Sequence, residues 1–147
     1  MFSKSCEYAI RAVVFVATQN NAGNKLGIME ICKEIDAPQH FTAKILQSLS
    51  HNGIISSQKG PSGGFYLNKT QTRLKLIDVV RALDGDKTFT GCGLGLKNCS
   101  EKKQCPIHNQ FKVVRDELLN MLSNTYVVQL AEEIEKGSAV LSNISGR

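Results

Sequence analysis

The chain has 147 residues, of which 41% are hydrophobic and 21% are charged, so it can bury one core and is not a disordered chain. No run approaches the roughly 20 apolar residues of a membrane helix, which argues against an integral membrane protein. Glu7 and Arg11 interrupt the apolar opening segment, so we expect no secretory signal and a cytoplasmic protein.

The formal net charge of +5 falls entirely within residues 1–75, where nine Lys and Arg stand against four acidic residues. Residues 76–147 hold nine of each sign. A basic half joined to a neutral half favours a polyanion-binding module with a second element, although an ordinary solvated surface would produce the same modest charge.

The first half predicts three helices. Residues 4–19 are dense in apolar side chains and indicate a buried helix, which Asn20, Asn21, Gly23 and Asn24 end. Residues 28–35 repeat apolar side chains at three and four, and Pro38 ends this short helix. A further helix follows over 39–52, with Gly53 as its stop. Two short helices joined by a tight turn predict a helix-turn-helix.

A hairpin is predicted directly after this motif. Residues 54–58 indicate a strand, 59–64 a glycine-rich basic turn and 65–67 a second strand. A hairpin in this position is a wing. The predicted fold class is therefore mainly α with a small β-hairpin wing: a winged helix-turn-helix domain plus a long dimerisation helix.

The second half predicts helices over 74–83, from Pro106 to about residue 124, and over 127–136. The long helix carries two apolar stripes, one of which can pack on the domain while the other needs a partner, so we expect a homodimer. Burial of both stripes within one chain is the alternative. The stripes are Ile107, Phe111, Val114, Leu118 and Met121, and Val113, Leu119 and Leu122.

Three of the five cysteines lie close together in the loop over residues 86–105. Cys92, Cys99 and Cys105, with His108 three positions later, offer thiolates and an imidazole, which are ligands for iron–sulfur clusters, zinc or copper. The absence of a closely spaced cysteine pair argues against structural zinc. Uncoordinated thiols that sense oxidation stay open as an alternative. Cys6 and Cys32 lie among apolar residues and are predicted to be small buried side chains.

The predicted DNA contacts lie at the start of the second helix of the motif. Gln39, His40 and Thr42 can donate and accept hydrogen bonds at base edges, and Lys44 suits phosphate or guanine. Phe41 could contact a thymine methyl group, although a core position is favoured.

The wing is predicted to lie along a phosphate backbone or a minor groove. Its small residues allow close approach, and its lysine supplies charge. These wing residues are Lys59, Gly60, Pro61, Ser62 and Gly63. No catalytic or nucleotide-binding motif occurs in the chain, so we do not expect an enzyme.

As a set, these residues resemble the winged-helix transcription regulators typified by the iron–sulfur cluster regulator IscR, the nitric-oxide sensor NsrR and the cysteine-metabolism regulator CymR. The resemblance covers about residues 1–135. It lies in the opening helix with Glu7-Tyr8-Ala9, residues 52–57, the wing over 59–65, residues 76–80 with Asp84-Gly85, and the three-cysteine loop.

The resemblance implies a homodimer built on the helix near 106–124 that binds a partly palindromic double-stranded DNA site. It also implies that the three cysteines hold iron. The fourth ligand is implied to be either His108 or Glu7 of the partner subunit. The Cys-x2-His pairing makes His108 the preferred ligand, and with it a [2Fe–2S] rather than a [4Fe–4S] cluster.

The resulting hypothesis is a dimeric DNA-binding regulator that senses iron–sulfur, redox or nitric-oxide status through a cluster. A regulator of the same fold without a cluster, controlled by thiol oxidation, zinc or a protein partner, is the alternative. The predicted organisation is a DNA-binding domain over 1–85, a cluster loop over 86–105, dimerisation and terminal helices over 106–136, and a flexible tail over 137–147.

Overall fold

The structure is a computed structural model that describes residues 2–20 and 23–143. It confirms the predicted fold class, because helices dominate these ranges and the only sheet within them is one antiparallel hairpin. The helices are α1 (Lys4–Asn20), α2 (Ile28–Ile35), α3 (Gln39–His51), α4 (Leu76–Asp84), α5 (Lys87–Thr90), α6 (His108–Asn124) and α7 (Val127–Glu135). The strands are β1 (Ser56–Gln58) and β2 (Gly64–Tyr66), and a 3-10 turn follows at Gln71–Arg73.

Helix α1 is the centre of the core and packs against α2, α3, α4 and α7. Its side chains are buried around most of its circumference, which explains why its sequence is apolar almost throughout. The C-terminal residues Leu122, Val127 and Ala131 are buried in the same cluster. The terminal helix therefore shares one core with the predicted domain over 1–85.

Specific backbone conformations begin and end the two helices of the helix-turn-helix. Helix α2 ends at Asp36, which takes a left-handed φ of 54°, and Pro38 caps the start of α3. Helix α3 ends in a Schellman motif: Gly53 has a φ of 75°, its N–H donates to Ser50, and the Ile54 N–H donates to Leu49. The predicted stop at Gly53 is confirmed. Because Ile54 belongs to this cap, β1 begins at Ser56 rather than at the predicted residue 54.

The wing is tied to the core by a one-residue bridge that the sequence did not suggest. Strands β1 and β2 pair with Ser57 opposite Phe65. On the other side of β2, Leu26 exchanges two backbone hydrogen bonds with Phe65, at 3.0 and 2.8 Å. The hairpin is therefore positioned by the segment that leads into α2.

The start of α1 is fastened to the end of α4 through one carboxylate. Asp84 accepts hydrogen bonds from the Ser3 backbone N–H, at 3.0 Å, and from the Ser3 hydroxyl. The Ser3 hydroxyl oxygen in turn accepts a hydrogen bond from the Cys6 backbone N–H at 3.1 Å and so caps the start of α1. Cys6 itself is fully buried and Cys32 is 6% exposed, as predicted.

We expect Asp84→Ala to lower the free energy of unfolding by about 1–2 kcal/mol, because it removes two hydrogen bonds from Ser3 to the carboxylate and weakens the cap of α1. Urea denaturation measures the change. Asp86→Ala is the matched control: its carboxylate is paired only with Arg81 at the surface, and we expect a loss of less than about 1 kcal/mol. Equal losses in the two variants would contradict the role of Asp84.

Helix α6 begins at His108, so Pro106 lies in the preceding turn rather than at the predicted first helical position. Neither predicted stripe is uniformly buried. Leu118, Leu119 and Leu122, all in the C-terminal half, pack on the core. The exposed apolar residues of the helix and its cap are Ile107, Val113, Val114 and Met121.

Helix α7 ends near the predicted Gly137. Beyond it Leu141 packs against the core, so part of the predicted flexible tail is placed. The tail prediction for 144–147, and Asn21 of the predicted first break, lie outside the described residues. Among the described helices, none combines the length and apolarity that crossing a membrane requires.

Candidate metal centre and DNA-binding surface

The three loop cysteines converge at the start of α6. The sulfur atoms of Cys92, Cys99 and Cys105 all lie within 4.8 Å of one another, and those of Cys92 and Cys105 are 3.6 Å apart. No disulfide joins them, and Cys105 is buried while the other two are half-buried. A loop that looked irregular in sequence thus forms a cluster of soft ligands.

Contacts with α5 and α6 hold the loop in this shape. Phe89 of α5 is buried in the core, and the Arg115 guanidinium donates to the Gly91 carbonyl at 2.6 Å. Gly93 lies directly against α6, where a Cβ atom would come within 2.9 Å of the Phe111 ring. The sequence interpretation missed α5, because four residues are too few to show a helical period.

The backbone around Cys92 favours its thiolate. Hydrogen bonds from the N–H groups of Leu96 and Leu94 lower the pKa of Cys92 to about 7. At Cys99 the Cys105 backbone N–H acts in the same direction, but burial and the neighbouring thiols outweigh it and raise the pKa of Cys99. Of these two thiols, Cys92 is therefore more readily available as a thiolate.

His108 lies beside the thiols as the first residue of α6. Its Nδ1 atom is 3.3 Å from the Cys99 sulfur, and its Nε2 atom is 3.4 Å from Oε1 of Glu101. The same Glu101 oxygen accepts a hydrogen bond from Lys112 Nζ at 3.1 Å. Hydrogen bonds from Lys112 and His108 lower the pKa of Glu101. Sequence reasoning missed Glu101 and Lys112, although Lys112 follows His108 by one helical turn.

Two of the contacts between donor atoms are Cys92 with Cys105 and Cys99 with His108. Two thiolates bound to one tetrahedral ion lie about 3.8 Å apart, and a thiolate and an imidazole nitrogen about 3.5 Å. The observed 3.6 and 3.3 Å are close to these values, so the residues fit a thiolate-ligated metal or cluster. They line a cavity of about 190 Å³. Glu7 lies on α1 beside Lys4, at 3.2 Å, and does not line this cavity.

On α3, the exposed side chains form one face that includes His40 and Lys44, as predicted, and also Gln47 and His51, which the sequence interpretation missed. Gln39 is exposed at the start of the helix. These positions follow the helical spacing of four and three residues, and that polar periodicity was the available signal. The face offers hydrogen-bonding and cationic side chains along three turns.

Two predictions on α3 need correction. Thr42 lies on the buried face of α3 and is fully buried. It cannot reach a base edge, so its assignment as a DNA contact is wrong. Phe41 is 41% exposed, so the favoured core position is also wrong. Its ring packs edge-on against Tyr8, with 5.8 Å between the ring centroids. The exposed part of Phe41 remains free to meet a ligand at the start of α3.

The wing carries its predicted residues on the surface beside α3. Lys59, Gly60, Pro61 and Ser62 are exposed, while Gly63 is half-buried against the backbone of Gln58. A groove of about 390 Å³ separates α3 from the wing. The residues that line it include Gln47, Ser50, His51, Ser57, Gln58 and Lys59.

Known transcriptional regulators are similar to this chain in sequence. A family model, Rrf2, described as "Iron-dependent Transcriptional regulator", matches residues 2–133. The HTH-type transcriptional regulator IscR of Escherichia coli is 26% identical over 140 residues, which cover 95% of this chain and 82% of the relative.

Solved structures give the same fold. CymR, the global cysteine regulator of B. subtilis, aligns with a TM-score of 0.73 at 18% identity, over 90% of this chain and 96% of that one. IscR of T. potens aligns with a TM-score of 0.71 at 18% identity, over 95% of this chain and 92% of that one.

Proposed function

Because the chain belongs to the Rrf2 family of transcriptional regulators, we propose that it is a homodimer that binds a partly palindromic DNA site with an affinity set by an iron–sulfur cluster. The proposed ligands are Cys92, Cys99, Cys105 and His108. The observation that carries the cluster assignment is the convergence of three thiols within 4.8 Å beside a histidine.

The presence of His108 among the four donors favours a [2Fe–2S] cluster over a [4Fe–4S] cluster, because imidazole replaces thiolate on some [2Fe–2S] clusters. Each iron of a [2Fe–2S] cluster takes two protein ligands, whereas each iron of a cubane takes one. The thiolates of Cys92, Cys99 and Cys105 and the imidazole of His108 would supply the four protein ligands of such a cluster. A bound cluster would change its charge, or be lost from the protein, when oxidants or nitric oxide reach it. Glu7 of the partner subunit is the alternative fourth ligand.

The DNA-binding part of the proposal rests on α3 and the wing. Helix α3 would enter the major groove with Gln39, His40 and Lys44 towards the base edges. The wing would follow the phosphate backbone, with Lys59 supplying the charge. Ser57 and His51 line the groove between α3 and the wing and would contact a phosphate strand that passes through it.

The homodimer is supported by the exposed apolar side chains of α6. Ile107, Val114 and Met121 are spaced one heptad apart, and each is more than a third exposed. Such a stripe buries well against a second copy of itself. In the dimer, two α3 helices would meet half-sites about 34–36 Å apart.

The coupling between the two sites is proposed to run through α6. Three ligands belong to the loop and one to α6, and α6 packs on α4, which packs on α1. Holding the four ligands together would order the loop against α6. The preferred orientation of the two α3 helices would change with it, and with that the affinity for the DNA site.

The first test is the content of iron, acid-labile sulfide and zinc in anaerobically purified protein, measured with its visible spectrum and its affinity for duplex DNA. We expect two irons and two sulfides per chain, and a DNA affinity that changes when the cluster is removed. Zinc alone, or no metal after reconstitution, would overturn the cluster assignment and leave the DNA-binding assignment standing.

A second candidate is a regulator of the same fold without a cluster. The three thiols within 4.8 Å also suit one tetrahedral ion, and the 3.6 Å between Cys92 and Cys105 suits thiol oxidation. A zinc-loaded protein, or one whose DNA affinity responds to peroxide without iron, would favour this candidate.

The contribution of the wing can be measured by substitution. We expect Lys59→Ala to weaken binding to every duplex sequence and to reduce the salt dependence of the binding constant by roughly one counterion, because one phosphate contact is lost. Fluorescence anisotropy over a salt series measures this, with Lys136→Ala, an exposed lysine beyond α7, as the matched control. A loss limited to one operator sequence would mean that the wing reads bases instead.

A further inference from the structure

The imidazole of His108 is held from both sides. Its Nδ1 atom faces the Cys99 sulfur at 3.3 Å, and its Nε2 atom faces Glu101 Oε1 at 3.4 Å. The side chain is only 9% exposed, so protein groups rather than water decide which nitrogen carries the proton.

A neutral imidazole has one N–H donor and one nitrogen lone pair. An ionised carboxylate can only accept hydrogen bonds, so the nitrogen that faces Glu101 must carry the proton. The lone pair is then on Nδ1, on the side of the thiols. Histidines that bind metals commonly donate their other N–H to a carboxylate in this way, and that partner fixes both the tautomer and the ring orientation.

The Glu101 side chain is 66% exposed and has a second partner. Lys112 Nζ donates to the same carboxylate oxygen at 3.1 Å. Lys112 and His108 lie four residues apart on α6 and therefore share one face of the helix. The turn that carries Glu101 is closed by two backbone hydrogen bonds between Ser100 and Lys103, at 3.0 and 3.1 Å.

We propose that Glu101 is a positioning residue that holds His108 in the Nε2–H tautomer, so that Nδ1 is the nitrogen that binds the metal. This inference rests on the proposed role of His108 as a ligand, and it adds the identity of the donor atom and the residue that selects it. Lys112 acts through Glu101 and is not needed for the tautomer itself.

The tautomer can be measured without any metal. Long-range proton–nitrogen correlation spectra of metal-free, 15N-labelled protein report which nitrogen of each histidine is protonated, and the His108→Gln variant assigns the signal. We expect a protonated Nε2 in the wild type and in Lys112→Ala, and a mixture of tautomers in Glu101→Ala. Glu135→Ala, at an exposed carboxylate of α7, is the matched control. A protonated Nδ1 in the wild type, or an unchanged tautomer in Glu101→Ala, overturns the proposal.

The donor atom is tested in the reconstituted protein. Histidine labelled with 15N only at Nδ1 should give a strong nitrogen coupling in pulsed EPR spectra of the reduced cluster. Glu101→Ala should retain iron against a chelator roughly 10–100-fold less well, and Glu101→Gln, whose amide oxygen still accepts, should recover part of the loss.

Coupling to Nε2, or no histidine coupling in a loaded protein, overturns the assignment of Nδ1. If the protein takes up no iron at all, the cluster proposal fails, and the metal-free spectra still decide the role of Glu101. The two failures are therefore distinguishable.

Discussion

Replacing Cys92, Cys99 and Cys105 together by alanine is expected to abolish iron binding and visible absorbance while the chain stays folded. Within the part of the chain that the structure describes, these three sulfur atoms are the soft donors that lie close enough together to hold a metal. His108 alone cannot hold iron or a cluster. Two of the three side chains are half-buried, and the main core cluster does not include Cys105. We therefore expect unchanged helical content in the circular dichroism spectrum.

The control for this experiment is Cys32→Ala. Cys32 is a buried thiol on α2 outside the three-cysteine cluster, so this variant should bind as much iron as the wild type. Iron content and absorbance are measured per chain after identical anaerobic reconstitution. Unchanged absorbance in the triple variant would contradict the ligand assignment, and loss in Cys32→Ala would mean that the reconstitution reports on folding rather than on ligands.

Gly64→Ala is expected to destabilise the fold by about 2–5 kcal/mol. A Cβ at position 64 would lie 2.7 Å from the backbone of Leu26, and the backbone φ of 145° disfavours any side chain. Relieving the clash requires β2 to move away from Leu26. That movement would break the two hydrogen bonds by which Phe65 ties the wing to the core.

Gly27→Ala, one residue beyond Leu26, is the matched control. Gly27 has an ordinary φ of −75°, and an added Cβ would meet no atom within 4 Å, so we expect a loss of at most about 1 kcal/mol from placing alanine at the N-cap of α2. Urea denaturation of both variants gives the comparison. Near-equal stabilities would show that the wing is not held by the Leu26 bridge.

The secondary structure was largely predictable because its signals are local. The apolar spacing in residues 28–35 and 39–52 and the stop at Gly53 depend on the geometry of a single helix, and the structure confirms each. The four-residue α5 was missed because it spans little more than one helical turn, so no spacing of apolar residues can repeat within it. The Leu26 bridge was missed because its partner, Phe65, is distant in sequence.

The residues that converge at the candidate site were predictable, but their environment was not. Cysteines and a histidine at Cys92, Cys99, Cys105 and His108 stand out by residue type alone. Glu101 does not, because an acidic residue in a polar loop is ordinary until the fold brings it to His108. The same limit explains Thr42, whose hydroxyl suits DNA chemically but which the packing of α3 buries.

By itself the sequence determined the order of helices and hairpin, the basic character of the first half and the set of candidate soft donors, because periodicity, charge and side-chain chemistry are properties of the chain. Only the tertiary structure decided which residues of α3 and α6 are exposed, which sulfur lies beside which nitrogen, and that α7 completes the core around α1. These depend on contacts between residues far apart in sequence, and such contacts form only when the helices pack.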